Sequence, residues 1–386
     1  MRILIVSQAP WRNTGYGAPV MGLIGQLQKN KHVCSILAIE ERGAGKMTYN
    51  GITVYLPPAH DKYGRNFIVS CAEDFGAQAI VTLLDPWIYT GANSFGRFPW
   101  IAWCPIDQDP PQRGLEVLEG ARYILPMSQF GARVIGENLP NKKITAMPYG
   151  IDLKVFSPLE DEDRSASRES FGVNPSHFVV GMVGTNLTHD RKALRENILG
   201  FAEFAREHEN ARLILWSTED GDFNLPALII ACGMQKQISI VSPWAVHMEN
   251  DARKMRKFYG ALDVLLQASA AEGFGIPIAE AQACGVPVIV ADNSSMPELV
   301  SERTGWIAKN CDPVWSWLDG WWGRPKPAEI ARELRSAYDW LQSDVDKKVM
   351  TRDCTGAARQ WSWDIVGSAW EDVLLDVQAQ INTEAK

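Results

Sequence analysis

The sequence has little of what staples small or metal-built folds together. Its seven cysteines, an odd number, are scattered from Cys34 to Cys354. That pattern excludes a disulfide framework and points to reduced thiols, as in a cytoplasm. Six histidines fall at no metal-ligand spacing, and neither do the cysteines, so no resident metal is expected. No apolar run approaches the roughly 20 residues of a membrane-spanning helix. The apolar part of the opening stretch, Ile3 to Val6, is too short for a secretory leader and has no cleavage-like site after it. Internal repeats and low-complexity tracts are absent. A cytoplasmic protein without a transmembrane segment is expected.

What is there is an ordinary globular composition, 46% hydrophobic and 22% charged, over 386 residues. That length allows two domains, each with its own core. Charge is uneven. Residues 1–157 carry 15 Lys+Arg against 12 Asp+Glu, a net of +3, and the remainder carries 23 against 34, a net of −11. So acidic a chain is a poor generic nucleic-acid binder. Its mildly basic first part still permits an anionic partner there.

The densest pattern runs from Gln267 to Val290, Q-A-S-A-A-E-G-F-G-I-P-I-A-E-A-Q-A-C-G-V-P-V-I-V. The apolar run Val264 to Leu266 reads as a buried strand. A loop with Gly273 and Gly275 follows, then a helix with Pro277 in its first turn, where a missing N–H costs nothing. Gly285 ends that helix, and Val286 to Val290 is the next strand. This is one strand–loop–helix–strand unit of a parallel α/β sheet. Loop glycines let backbone N–H groups approach a ligand, and the helix start favours an anion. Glu272 in the loop and Glu280, expected in the helix's first turn, accept hydrogen bonds but cannot donate them. Beside an anion site they suit hydroxyl-rich groups attached to phosphate. An ordinary βα turn with a solvated and a cap-region Glu is the plainer alternative.

The stretch resembles the donor-site signature of the retaining glycosyltransferases of the GT-B fold, particularly family 4, S-x-x-E-G-F-G-x-P-x-x-E-A-x-A-x-G-x-P-V. It matches at Ser269, Glu272, Gly273, Phe274, Gly275, Pro277, Glu280, Ala281, Ala283, Gly285, Pro287 and Val288. The resemblance implies two Rossmann-like domains with parallel, doubly wound sheets facing a cleft. Residues 1–157 would form an acceptor domain, joined by a last helix over 363–386, and residues 168–362 a nucleotide-sugar donor domain. It implies transfer of a sugar, with retention of configuration, from a UDP- or GDP-type nucleotide-diphosphate sugar to a hydroxyl. The donor is a substrate, and no separate cofactor is called for. Glu280 would bind ribose hydroxyls. Glu272 would bind the sugar, aided by backbone N–H groups of Phe274, Gly275 and Ile276.

The rest of the chain alternates strands and helices, as a doubly wound sheet requires. Arg2 to Ser7 reads as a strand, followed by a loop holding Gly15 and Gly17. The third glycine of a dinucleotide fingerprint is missing, and the loop is too long for one. A simple turn serves as well, but the resemblance puts both glycines against the donor diphosphate. Strands ending near Asp85, Asp107 and Ser128 place these residues where such sheets bind ligands, although each also suits a cap or turn. The family often has a histidine near Asp107, and this chain has W-C-P-I-D-Q-D instead. Asp107 is retained as a candidate beside the transferred sugar.

Met147 to Asp152 resembles the family's interdomain segment, and the polar stretch Leu159 to Ser167 reads as a linker. A strand from Phe178 ends at Gly184, which joins the donor-binding set. Arg191 and Lys192 are expected at the head of the next helix, in an open cleft with little role in stability. Cations are unfavourable at a helix N-terminus unless an anion compensates. Two solvated cations are the plain alternative, while the family places an Arg and a Lys here on the leaving diphosphate. Trp315, Trp317, Trp321 and Trp322 could stack on sugars or bases, but packing against the other domain is expected. The acceptor is unassigned; the basic first part suits an anionic one, such as a lipid surface or a modified nucleic acid. The rival readings are a non-catalytic nucleotide-sugar binding protein and another GT-B enzyme, such as a nucleotide-sugar epimerase or a phosphorylase.

Overall fold

The computed structural model describes residues 1–384 apart from 13, 42, 44, 90–94, 112, 188 and 243–250. The chain divides into two units, one of residues 1–150, 318–320 and 361 onward, the other of residues 151–317 and 321–360.

In the first unit the strands are β1 (Arg2–Gln8), β2 (Val33–Ile39), β3 (Gly45–Tyr49), β4 (Ile52–Leu56), β5 (Ala79–Leu83), β6 (Trp100–Cys104) and β7 (Tyr123–Pro126). They lie in the order β3-β4-β2-β1-β5-β6-β7. Each pair is parallel except β3 with β4. Ile3 to Val6 of β1 are shut off from solvent on both faces, which is why β1 reads as an unbroken apolar run. From β1 the chain first builds outward through β2 and β4, then returns to the other side through β5, β6 and β7. The switch point therefore lies between β1 and β5. The exposed β3 has no apolar alternation, and the sequence gives no signal for it.

The last helix, Trp363–Glu384, packs along the helix Gly17–Lys29 within this unit. The indole of Trp363 fills the space left by two glycines: a Cβ at Gly22 or at Gly150 would come within 2.3 Å of the ring. Behind it, Trp370 meets Trp103 edge-on, with ring centroids 5.2 Å apart.

The second unit holds β8 (Phe178–Val183), β9 (Ala211–Trp216), β10 (Ile238–Ile240), β11 (Val264–Gln267), β12 (Val288–Ala291) and β13 (Gly305–Ala308). Their order is β10-β9-β8-β11-β12-β13, and all pairs are parallel. The same build-and-return pattern puts this sheet's switch point between β8 and β11. Two doubly wound sheets, parallel except for β3 with β4, are thus present, as the resemblance implies. A hairpin, β14 (Asp312–Trp315) with β15 (Trp321–Arg324), completes the strands.

Two expectations need correcting, and one helix had no reading. The stretch read as a linker is largely helix, Asp161–Ser170. Its three leading acids, Asp161, Glu162 and Asp163, suit the positive end of a helix dipole. Its two arginines anchor it: Arg164 and Arg168 donate to Asp263 at 2.9 and 2.7 Å, and to the carbonyls of Gly260 and Ala261. Polar composition concealed a helix held by charge-assisted bonds instead of an apolar stripe. A further helix, Asp344–Ala358, begins at the cap Ser343, whose Oγ accepts from the Asp346 N–H. The tryptophan cluster is not packed away as a whole. Trp322 is buried, whereas Trp315 and Trp321 form an edge-on cross-strand pair with about half their surface exposed.

Candidate donor site at the second switch point

The loops after β8 and β11 leave the carboxyl ends of adjacent parallel strands, the place where open α/β sheets take ligands. The loop after β8 carries Gly184, Arg191 and Lys192, and the loop after β11 carries Glu272. Strand adjacency brings them together across 80 residues of sequence. Lys192 Nζ donates to Glu272 Oε1 at 2.6 Å, and Arg191 Nη1 to Glu272 Oε2 at 3.1 Å. Ser269 Oγ donates to Glu272 Oε1 at 2.7 Å, and Arg191 Nη1 also reaches the Ala271 carbonyl at 2.9 Å. A Cβ on Gly184 would lie 3.1 Å from Lys192 Cγ, so glycine there leaves room for the lysine stem.

Glu272 is buried, with a side chain only 6% exposed. Burial disfavours its charge, but Lys192 and Arg191 outweigh that and hold the carboxyl down at about 2. The carboxylate is therefore ionised and shared between two cations. Their own side chains are 12% (Lys192) and 23% (Arg191) exposed. This corrects the expectation of two cations in an open cleft. It also corrects their position: the helix starts at Leu194, and both residues lie in the loop before it. Their charge is compensated by Glu272.

The helix Ile276–Ala283 opens beside Glu272 with Gly275 as its cap, at φ +101°. That left-handed conformation suits glycine. Pro277 lies in the first turn. Phe274 is buried, and Ile276 is the helix's first residue. The loop is braced from behind. Ser294 Oγ accepts from the Glu272 N–H at 2.9 Å, and Ser295 Oγ donates to the carbonyls of Glu272 and Phe274 at 2.8 and 3.0 Å. Neither serine lies in the motif that ends at Val288, so the sequence pattern does not mark them as supports.

Glu280 stands one turn deeper than expected, fifth in its helix. Its Oε2 accepts from Tyr259 Oη at 2.8 Å. Burial pushes this carboxyl up to about 7, and the tyrosine opposes the rise. The two glutamates of one motif thus sit in opposite electrostatic settings. Tyr259 has no signal in the motif, because packing of the helix Ala252–Ala261 supplies it.

Gly15, Gly17 and Asp107 belong to the first unit. Gly15 is exposed in the loop after β1, and Gly17 starts the next helix. A Cβ on Gly17 would be 2.4 Å from the Arg12 carbonyl, so close backbone approach requires glycine there. At the same switch point Tyr16 Oη donates to Asp85 Oδ2 at 2.6 Å, a pair the sequence did not suggest. Asp107 follows β6 and is half-buried. Ser128 is a helix cap, accepting from the Gly131 N–H at 3.1 Å. Among the described residues no three His, Cys, Asp or Glu side chains gather as a metal site, and no helix is long and apolar enough to cross a membrane.

The family model described as Glycosyl transferases group 1 matches residues 163–314. The D-inositol 3-phosphate glycosyltransferase of Segniliparus rotundus is 28% identical over 223 residues, 58% of this chain and 44% of that protein. The enzyme of the same name from Xylanimonas cellulosilytica is 27% identical over 259 residues, 64% of this chain and 53% of that protein. The chain spans about half the length of the curated relatives it matches. Sucrose-phosphate synthase from Thermosynechococcus elongatus superposes with a TM-score of 0.76 at 15% identity, over 98% of this chain and 100% of that one. Anabaena HepE, solved with UDP and glucose, gives a TM-score of 0.71 at 16% identity, over 97% of this chain and 100% of that one. Fold and motif converge: this chain has the GT-B fold, and its residues 163–314 are similar to the glycosyl transferases group 1 family.

Proposed function

We propose that this protein is a retaining, metal-independent glycosyltransferase that moves a sugar from a nucleotide-diphosphate sugar to a hydroxyl acceptor. The observation that carries the reading is Glu272 held between Lys192 and Arg191 at a switch point, beside the opening of the helix Ile276–Ala283.

As the glycosidic bond breaks, negative charge grows on the phosphate oxygen nearest the sugar. Lys192 and Arg191 stabilise that charge, and only the gain over bound donor raises turnover. They take the role that a divalent cation has in other transferases. Each carboxylate oxygen offers two lone-pair sites, so Glu272 Oε2, with Arg191 on it, has room for a sugar hydroxyl. Glu280 and Tyr259 bind the ribose hydroxyls. Gly15, Gly17, Gly184 and the N–H groups of Phe274, Gly275 and Ile276 line the donor, and Asp107 contacts the transferred sugar. Residues 1–157 then act on the acceptor and residues 168–362 on the donor.

The donor base is of UDP or GDP type, and UDP-glucose is the first to test, given its parts in the HepE structure. An anionic polyol fits the acceptor side, because residues 1–157 carry a net charge of +3 and the curated relatives are named for an inositol phosphate. The test is incubation with UDP- and GDP-sugars, with and without D-inositol phosphates. Acceptor-dependent nucleotide release is expected, with the product keeping the donor's anomeric configuration by NMR. Apparent acceptor affinity should fall as salt rises. Donor consumption without acceptor would identify an epimerase, and donor binding without turnover a binding protein.

A further inference from the structure

The loop that presents Arg191 and Lys192 follows an unusual backbone path. His189, Asp190 and Ala193 have φ of +52°, +60° and +46°. Non-glycine residues in the left-handed region are strained and persist only where the surroundings over-determine them. Three such residues bracket the two cations. Part of the restraint is local: the Asp190 N–H donates to Asp222 Oδ2 at 2.8 Å, and Asn197 Nδ2 donates to the carbonyls of Ala193 and Ala268, each at 2.8 Å.

A further restraint comes from the hairpin. Arg324, on β15, donates through Nη1 to Asp190 Oδ2 and, at 3.0 Å, to Glu196 Oε1. Glu196 is buried, and burial also pushes the Asp190 carboxyl upward, with Arg324 opposing it. Arg195 assists from the rim, 2.6 Å from Glu196 and 3.9 Å from Asp190, with a side chain 42% exposed. Asp190 Oδ1 and Glu196 Oε2 are buried without a hydrogen-bond partner in the described structure. Among the described residues Arg324 is the guanidinium that hydrogen-bonds both carboxylates, while Arg195 donates to Glu196 alone. The same strand holds the other half of the site. The Gly323 N–H donates to the Ala270 carbonyl at 3.0 Å, and the Ala270 N–H donates to the Arg191 carbonyl at 2.8 Å. Arg324 lies outside the segment matched by the family model, which ends at residue 314.

We propose that Arg324 is a positioning residue for Arg191 and Lys192, which fixes the loop 189–193 by bridging Asp190 and Glu196. Without it, two shielded carboxylates lose their shared partner next to the diphosphate-binding cations. They then repel each other and compete with Glu272 and with ligand for Lys192 and Arg191. The inference rests on the donor-site reading, so its test reads ligand binding separately from transfer.

The variants are Arg324→Met and, because lysine keeps the charge but carries it as a compact ammonium on a flexible stem without the guanidinium's fixed donor directions, Arg324→Lys. Calorimetry compares UDP, UMP and inorganic pyrophosphate on the full chain, with Lys192→Ala as reference. Arg324→Met should weaken UDP and pyrophosphate by at least about tenfold, the size of one charge-assisted contact. UMP affinity should change by less than about twofold. Arg324→Lys should fall between the two, and it carries the test alone if the methionine variant does not fold. Adding Lys192→Ala to Arg324→Met should cost much less than Lys192→Ala alone, because coupled residues are non-additive. Equal losses for UDP and UMP, wild-type pyrophosphate affinity, or additive effects would each overturn the proposal. If wild-type protein binds diphosphates in this pattern but transfers no sugar, the transferase reading fails and the positioning role stands. If wild-type protein binds none of the three, both fall.

Discussion

The Lys192 ammonium lies 2.6 Å from the Glu272 carboxylate, and both side chains are nearly closed to solvent. On the proposed reading, the cation that meets the leaving diphosphate is thus already paired with the acid that meets the sugar. A buried carboxylate without its cations would be strongly destabilising. The pair therefore links the chemistry of the site to the stability of the second unit.

Lys192→Ala and Arg191→Ala should each lower kcat by about 100- to 1000-fold, with a smaller change in donor KM. Both should also lower the melting temperature, Lys192→Ala the more, because removing one partner of a buried pair costs on the order of 3 kcal/mol. Adding Glu272→Gln to Lys192→Ala should return much of that stability but none of the turnover. Normal kcat in both single variants would remove the pair from the mechanism.

Acid should unfold the protein partly through Glu272. Its carboxyl is held at about 2, below the ordinary value of 4.5. A depressed carboxyl contributes stability that is present above the unfolded-state value and is lost as pH falls through the folded one. The window is therefore about pH 4.5 down to 2, and the contribution at most roughly 3 kcal/mol. Across that window Glu272→Gln should lose less stability than wild type, as read by denaturant midpoints. Parallel curves would mean that Glu272 is not the group that titrates.

Glu280 has the opposite sign. Its carboxyl is raised to about 7, so stability tied to its neutral form is present below about 4.5 and declines as pH rises through 7. Ionised Glu280 is the better acceptor for ribose hydroxyls. Nucleotide affinity should therefore strengthen from pH 6 to 8, and Glu280→Gln should flatten that profile while weakening binding by about tenfold or more. Tyr259→Phe removes a donor to the charged form, and the rise should move to higher pH. A Glu280→Gln variant with the wild-type profile would place the titration elsewhere.

On the proposed reading Lys192 and Arg191 supply the positive charge at the diphosphate, so transfer should survive a chelator. Activity lost on chelation and restored by manganese or magnesium would sink the metal-independent mechanism.

Local chain chemistry made much of this legible in advance. Apolar runs marked β1, β8, β11 and β12, because strands buried on both faces need them. Gly275, Pro277 and Gly285 punctuated the motif helix through backbone constraints that act within a few residues. Where bonding was non-local, sequence reading failed. The helix Asp161–Ser170 depends on Asp263, about a hundred residues away, and β3 exists because β4 offers it an edge.

The sequence by itself determined a parallel α/β arrangement and a glycine-rich turn, with Glu272 in it, leading into a helix that carries Glu280. Both follow from periodicity and turn chemistry over short spans. Only the tertiary structure decided that Glu272 is ionised between Lys192 and Arg191, while Glu280 faces Tyr259 and holds its proton near neutrality. The physical reason is strand order. Laying β8 beside β11 brings the ends of two distant loops to one point, where Lys192 and Arg191 keep Glu272 charged, while burial beside the helix Ala252–Ala261 raises Glu280.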